Sequence, residues 1–179
     1  MSSEHYRQAA ILAAFVEKVR QAENNCGETL VQKAAYVMKE LFGLPLGDEF
    51  RIHYYGPFSF ELRDRLASME ADDIVRVRPR EMGVTYEIGD RFSQLRARFA
   101  ADIEAASRAI EFTAERLGSL GVKKLEPLTT ALYVTRELPG ASTQVRARRL
   151  REIKQHIAEP EAIQAVETID RWRSEVAQP

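Results

Sequence analysis

Tyr54-Tyr55-Gly56-Pro57-Phe58-Ser59 is the stretch around which the rest of the chain can be organised. Glycine followed by proline forces a turn, because glycine takes backbone angles closed to other residues and proline fixes its own φ. Ahead of it, Phe50-Arg51-Ile52-His53-Tyr54 alternates weakly, like a short strand. Behind it, Ser59 can cap a helix over about 58–70, in which Leu62, Leu66 and Met69 recur at spacings of four and three.

Outward toward the N-terminus, two helices are expected. The first, about 5–22, places Ile11, Leu12, Phe15, Val16 and Val19 on one face with charges between them. Asn24, Asn25 and Gly27 interrupt it, and Thr29 with Gln32 offers a capping box for a second helix reaching about 42. Leu30, Val31, Ala34, Ala35, Met38, Leu41 and Phe42 form its apolar face, leaving Lys33 on a solvated one. Gly43, Pro45 and Gly47 end it.

Toward the C-terminus, residues 73–78 and 83–88 alternate and read as a hairpin turning through Pro79 and Gly83. Helix, helix, strand, helix, hairpin is the order of a winged helix. Asp90 can cap a long helix over 91–117, in which Phe92, Leu95, Phe99, Ile103, Ala106 and Ile110 repeat at three and four. That stripe suits a scaffold or a homodimer seam. Gly118 and Gly121 stop it, and helices follow at about 123–137, 142–157 and 160–176, the last with Pro160 in its first turn. The expected fold is α+β and mostly α. A winged-helix-like unit (1–90, centred on 28–90) carries a small β-hairpin wing, and a helical extension (91–179) shares its core.

Composition bounds the function. With 179 residues, 45% hydrophobic and 30% charged, the chain suits one sizeable globular core. No stretch approaches the roughly 20 apolar residues of a membrane helix, and no leader pattern opens the sequence, so a cytoplasmic protein with no membrane partner is expected. Cys26 stands alone, and His5, His53 and His156 are scattered, so no disulfide, metal or cofactor is expected. The net charge of −1 divides unevenly: residues 1–90 hold 11 Lys and Arg against 15 Asp and Glu, residues 91–179 hold 15 against 12.

Three groups of residues are candidates for partner contacts. Tyr54, Tyr55 and Phe58 read either as a recognition surface or as a hinge packed under the helices. Gln32, Lys33 and Tyr36, a polar triplet on the second helix, read as partner contacts, or as a cap and a solvated face. Arg76, Arg78 and Arg80 cluster at the wing, where they could follow a phosphate backbone. The third helix argues against that, since Arg63 and Arg65 stand among Glu61, Asp64, Glu70, Asp72 and Asp73, which repel phosphate. A second basic group, Arg146, Arg148, Arg149, Arg151 and Lys154, spreads widely around its helix and reads as a solvated face, or as the best alternative phosphate contact. No nucleophile elbow or phosphate-cradling loop is present, so no catalytic residue is assigned.

Val31-Gln32-Lys33-Ala34-Ala35-Tyr36, followed by Tyr54-Tyr55-Gly56-Pro57-Phe58-Ser59-Phe60-Glu61-Leu62, resembles the YwgA-like family of uncharacterised prokaryotic proteins. That family shows a Leu-Gln-Lys-Leu-x-Tyr helix and a His/Lys-Tyr-Gly-Pro-Tyr-Ser turn. Leu125-Glu126-Pro127-Leu128-Thr129-Thr130-Ala131-Leu132-Tyr133 is similar to a helix in its C-terminal half. The resemblance covers about a third of the chain. Val31 and Ala34 replace the usual leucines and Phe58 the usual tyrosine. A more distant similarity runs to the Panacea antitoxin domain. The resemblance implies neutralisation of a protein partner or, through the winged helix, transcriptional control. The expected function is therefore non-enzymatic binding or regulation through a protein partner. The alternatives are a DNA-binding winged-helix regulator and an enzyme with a composite site assembled from distant residues.

Overall fold

In this computed structural model the described residues are 3–46, 49–81 and 83–178. They form a mostly helical α+β structure with two small antiparallel hairpins. Helix α1 (Ser3–Gln21) lies at its centre. Every residue from Gln8 to Val16 is buried, because α3 (Phe60–Ala71), the 92–117 segment and the second hairpin all pack on α1. An amphipathic reading of α1 therefore understates it. Ala9, Ala10, Ala13 and Ala14 are its small faces, and they let neighbours approach on sides that apolar spacing alone leaves to solvent.

Helix α2 (Glu28–Phe42) begins after Gly27, with no side-chain cap, so the Thr29–Gln32 capping box does not form. Gly43, at φ +68°, ends the helix in the left-handed conformation that glycine takes without strain. Strands β1 (Arg51–His53) and β2 (Gly56–Phe58) form the first hairpin, and β3 (Val75–Pro79) and β4 (Val84–Ile88) the second. β1 pairs with β2 and not with the later hairpin, so the strands make two separate sheets. Cys26 ties β4 to the α1–α2 connection: its carbonyl accepts from the Tyr86 N–H at 2.8 Å, and its N–H donates to Thr85 Oγ1 at 3.0 Å.

The expected long helix is bent into α4 (Phe92–Arg98), α5 (Ala100–Ala105) and α6 (Ser107–Leu117). Bonds from Phe99 N to Leu95 O (3.0 Å), Ile103 N to Phe99 O (3.0 Å) and Ile110 N to Ala106 O (2.9 Å) carry the ladder across both bends. The bends wrap its apolar stripe around α1 and onto α2. Phe92, Leu95, Phe99, Ala106 and Ile110 are consequently buried within one chain, which removes the dimer seam expected for 91–117. Nor does Asp90 cap it; its carboxylate lies 2.6 Å from Arg76 Nη2.

Helices α7 (Val122–Glu137), α8 (Thr143–Ile153) and α9 (Glu159–Ala177) pack on one another, and α7 also lies against α2 and β2. One continuous set of buried apolar residues thus runs from Ala9 to Trp172. Arg146 stitches the last three helices, donating to Asp170 at 2.7 and 2.6 Å and to Thr135 Oγ1 at 3.2 Å. Asp170→Ala is expected to destabilise the chain by about 2 kcal/mol, read from the urea midpoint, because it strands a buried guanidinium. Among the described residues no helix is long and apolar enough to cross a membrane.

Candidate functional site

The sequence stretch 54–59 folds one step out of the expected frame. Tyr54-Tyr55 is the turn, and Gly56-Pro57-Phe58 is the returning strand, with His53 opposite Gly56, Ile52 opposite Pro57 and Arg51 opposite Phe58. Gly56 sits at φ +91°, where a residue with a side chain is strained. A Cβ there would meet Thr130 Oγ1 at 3.0 Å and Thr129 Oγ1 at 3.2 Å, so glycine is also what lets α7 press against the hairpin.

Side chains from α2 and from the residue that follows α8 hold this hairpin and its exit by their backbone. Gln32 makes a two-way contact with Ser59: its Nε2 donates to the Ser59 carbonyl and its Oε1 accepts from the Ser59 N–H, both at 2.9 Å. Ser59 in turn caps α3, accepting from Leu62 N at 3.2 Å. Lys33 Nζ donates to the Pro57 carbonyl at 2.7 Å. Beyond the end of α8, Lys154 Nζ donates to the His53 carbonyl at 2.7 Å and to that of Tyr54. Glu126 on α7 answers Lys154 at 3.0 Å, an ion pair by distance though not aligned as a hydrogen bond, and lies 3.2 Å from His156 Nε2.

Gln32, Lys33, Glu126 and Lys154 are all at most 6% exposed. Tyr36, at 2%, packs on Phe50 with ring centroids 5.1 Å apart. The triplet Gln32, Lys33 and Tyr36 is therefore too deep to meet a macromolecule, and neither the cap nor the solvated face expected of Gln32 and Lys33 is realised. They position the hairpin instead. Their partners are backbone atoms more than twenty positions away, a pairing that local spacing does not reveal.

Burial, the neighbouring Lys154 charge and only partial compensation by Glu126 bring the Lys33 ammonium down to about 8. Between pH 8 and 9 the unfolded lysine therefore binds more protons than the folded one, and stability rises with pH. The expected gain is about 1 kcal/mol, seen as the difference in urea midpoints between wild type and Lys33→Met. That difference cancels the opposing effect of the Cys26 thiol, which burial pushes up to about 12.

Above this clamp stands an exposed aromatic group. Tyr54 is 79% exposed, Tyr55 57% and Phe60 51%. The His53 ring bridges them, 4.8 Å from Tyr54, 5.4 Å from Phe58 and 5.9 Å from Phe60, and Arg63 stacks on Phe60 at 5.0 Å. Two clefts flank the hairpin. One of about 300 Å³ is lined by Thr29, Lys33, Tyr55, Phe58 and Arg63; one of about 720 Å³ opens between β1 and the end of α8. Tyr54 and Tyr55 thus stand exposed at the turn, not packed under the helices, with Phe58 half-buried beside them. His53, Phe60 and Arg63 belong with them and were not assigned from sequence. The signal for the last two was present, since a phenylalanine directly after the Ser59 cap and an arginine three residues on share a helix face.

The other candidates are less concentrated. Arg76 is bound by Asp73 at 2.8 and 2.9 Å and by Asp90 at 2.6 Å, and Arg78 pairs with Glu87 at 3.3 Å; Arg78 and Arg80 are exposed. The basic group expected on a solvated face is dispersed: Arg146 and Lys154 point inward, Arg149 pairs with Glu137 at 3.0 Å, and Arg151 lies 3.5 Å from Glu159. Cys26 is fully buried. Among the described residues no three His, Cys, Asp or Glu are placed to hold a metal ion. No protein-family model matches this chain, and no curated protein matches it.

Proposed function

We propose that the chain is a non-enzymatic binding protein that engages a protein partner through the tip of the β1–β2 hairpin. The observation that carries this reading is the contrast between backbone and side chains at the tip. Buried Lys33 and Lys154 hold the strand carbonyls, while Tyr54, Tyr55 and Phe60 project into solvent. Exposed tyrosine and phenylalanine are the residues that anchor protein interfaces, and a backbone already fixed loses little freedom on binding. The similarity to an antitoxin domain read from the sequence points the same way.

A DNA-binding regulator is the second reading, supported by the winged-helix-like order of elements over 28–90 and by exposed Arg78 and Arg80. The charge on the rest of that face counts against it, because Asp73, Asp90 and Glu87 neutralise Arg76 and Arg78.

Tagged wild type and a Tyr54→Ser/Tyr55→Ser variant of equal thermal stability distinguish these readings in pull-downs from the source cells. A partner protein retained by wild type and lost by the variant supports the proposal; equal recovery overturns it. A duplex-DNA gel shift at low salt that Arg78→Glu/Arg80→Glu abolishes supports the second reading instead.

A further inference from the structure

The β1–β2 hairpin leaves one edge of β1 open. Antiparallel ladders alternate between residue pairs that exchange hydrogen bonds and pairs that do not. Pro57 has no N–H to give, and its carbonyl is turned to Lys33 at 2.7 Å, so Ile52 and Pro57 form a pair of the second kind. The Ile52 N–H and carbonyl therefore face away from β2. Among the described residues no strand pairs with that edge. In its place lies the cleft of about 720 Å³, walled by Ile52, His53 and Tyr54 on one side and by Ile153, Lys154 and His156 on the other.

The charge beneath the hairpin is unbalanced. Two buried lysines, Lys33 and Lys154, face one buried carboxylate, Glu126, and His156, its side chain 64% exposed, adds a ring at the rim that becomes cationic on protonation. A second copy of this chain is a poor occupant, because pairing two β1 edges would bring two such cationic clusters together. An anionic strand is a good one, since its backbone meets Ile52 while its charge offsets the excess.

We propose that the open edge of β1 is a strand-addition site for an extended segment of a protein partner that carries aspartate or glutamate side chains facing His156. This rests on the reading of the hairpin as a protein-binding element and names the chemistry of what it binds. The Ile52 backbone pairs with the segment, and the walls of the cleft take alternate side chains.

The probe is a fluorescein-labelled peptide of alternating valine and threonine in which two residues are glutamate, with a twin carrying lysine at the same places. Anisotropy with the full chain is expected to show the acidic peptide binding roughly tenfold more tightly than its twin. Ile52→Pro removes the outward N–H but no bond of the hairpin, and should weaken the acidic peptide by roughly tenfold while Ile52→Val does not. Circular dichroism verifies that both variants fold, and in wild type the Ile52 amide should gain protection from hydrogen exchange when the acidic peptide binds. Equal affinity for the two peptides, undiminished binding by folded Ile52→Pro, or an unprotected Ile52 amide overturns the proposal, as does a dimer mass in light scattering that Ile52→Pro abolishes. A captured partner that Tyr54→Ser/Tyr55→Ser loses and Ile52→Pro keeps would leave the aromatic tip as the binding element and remove the strand-addition site.

Discussion

Lys154→Met is expected to lower the unfolding free energy by about 3–5 kcal/mol, the loss typical of breaking a buried ion pair from one side. The substitution keeps the length of the aliphatic stem but removes the ammonium that serves two carbonyls of the hairpin and faces Glu126. Glu126, 6% exposed, then keeps His156 at its far oxygen as its ion-pair partner among the described residues. The hairpin backbone loses its outer clamp, so amide exchange at Tyr55 and Gly56 should quicken beyond what the global destabilisation explains. Lys33 loses the cation that helps depress it, and its titration should move back up from about 8. Lys154→Met combined with Glu126→Met is the check. An apolar pair of similar volume removes the stranded charge and should recover much of the stability while the hairpin stays loose. A single Lys154→Met variant as stable as wild type would show that the clamp contributes nothing.

Gly56→Ala is expected to be nearly as damaging, at about 2–4 kcal/mol, by a different physical route. At φ +91° the backbone itself disfavours a Cβ, and that Cβ would sit 3.0 Å from Thr130 Oγ1 and 3.2 Å from Thr129 Oγ1. The two contributions separate in Gly56→Ala/Thr130→Ala, which relieves the nearer clash and leaves the strained angle. Partial recovery in the urea midpoint is the expected outcome; full recovery would mean that conformation costs nothing at this position. Because Lys33, Lys154 and α7 all grip this hairpin, Gly56→Ala should also lower recognition by the aromatic tip even where the chain remains folded.

The helical framework was legible because helix signals are local. Apolar spacing and breakers such as Gly43, Gly118 and Pro160 placed α1, α2, α3, α7 and α9 close to their observed ends, and alternation placed β3 and β4; α8 starts where expected but stops at Ile153, a turn short of 157, which frees Lys154 and His156 from the helix. The 92–117 segment shows where local signals stop. Its spacing described an apolar stripe correctly but could not say whether another copy or the chain's own α1 covered it. The answer required the bends at Phe99 and Ala106. Tyr54 and Tyr55 were recognisable as candidates from composition around a turn, whereas their exposure depended on which of four consecutive residues formed the turn, a choice made by contact of Gly56 with α7.

By itself, then, the sequence determined the number and order of the helices around α2 and α3, the presence of a second hairpin, and the importance of the 54–59 stretch. These follow from side-chain periodicity and backbone preference, which act over a few residues. Only the tertiary structure decided that Lys33 and Lys154 are buried instead of solvated, that Gln32 serves Ser59 instead of a helix cap, and that Glu126 on α7 faces Lys154 from beyond the end of α8. A polar side chain is assigned to water by default because burial without a partner is costly. Whether a partner exists depends on atoms that folding brings together from distant parts of the chain, and here those atoms are the carbonyls of one short hairpin.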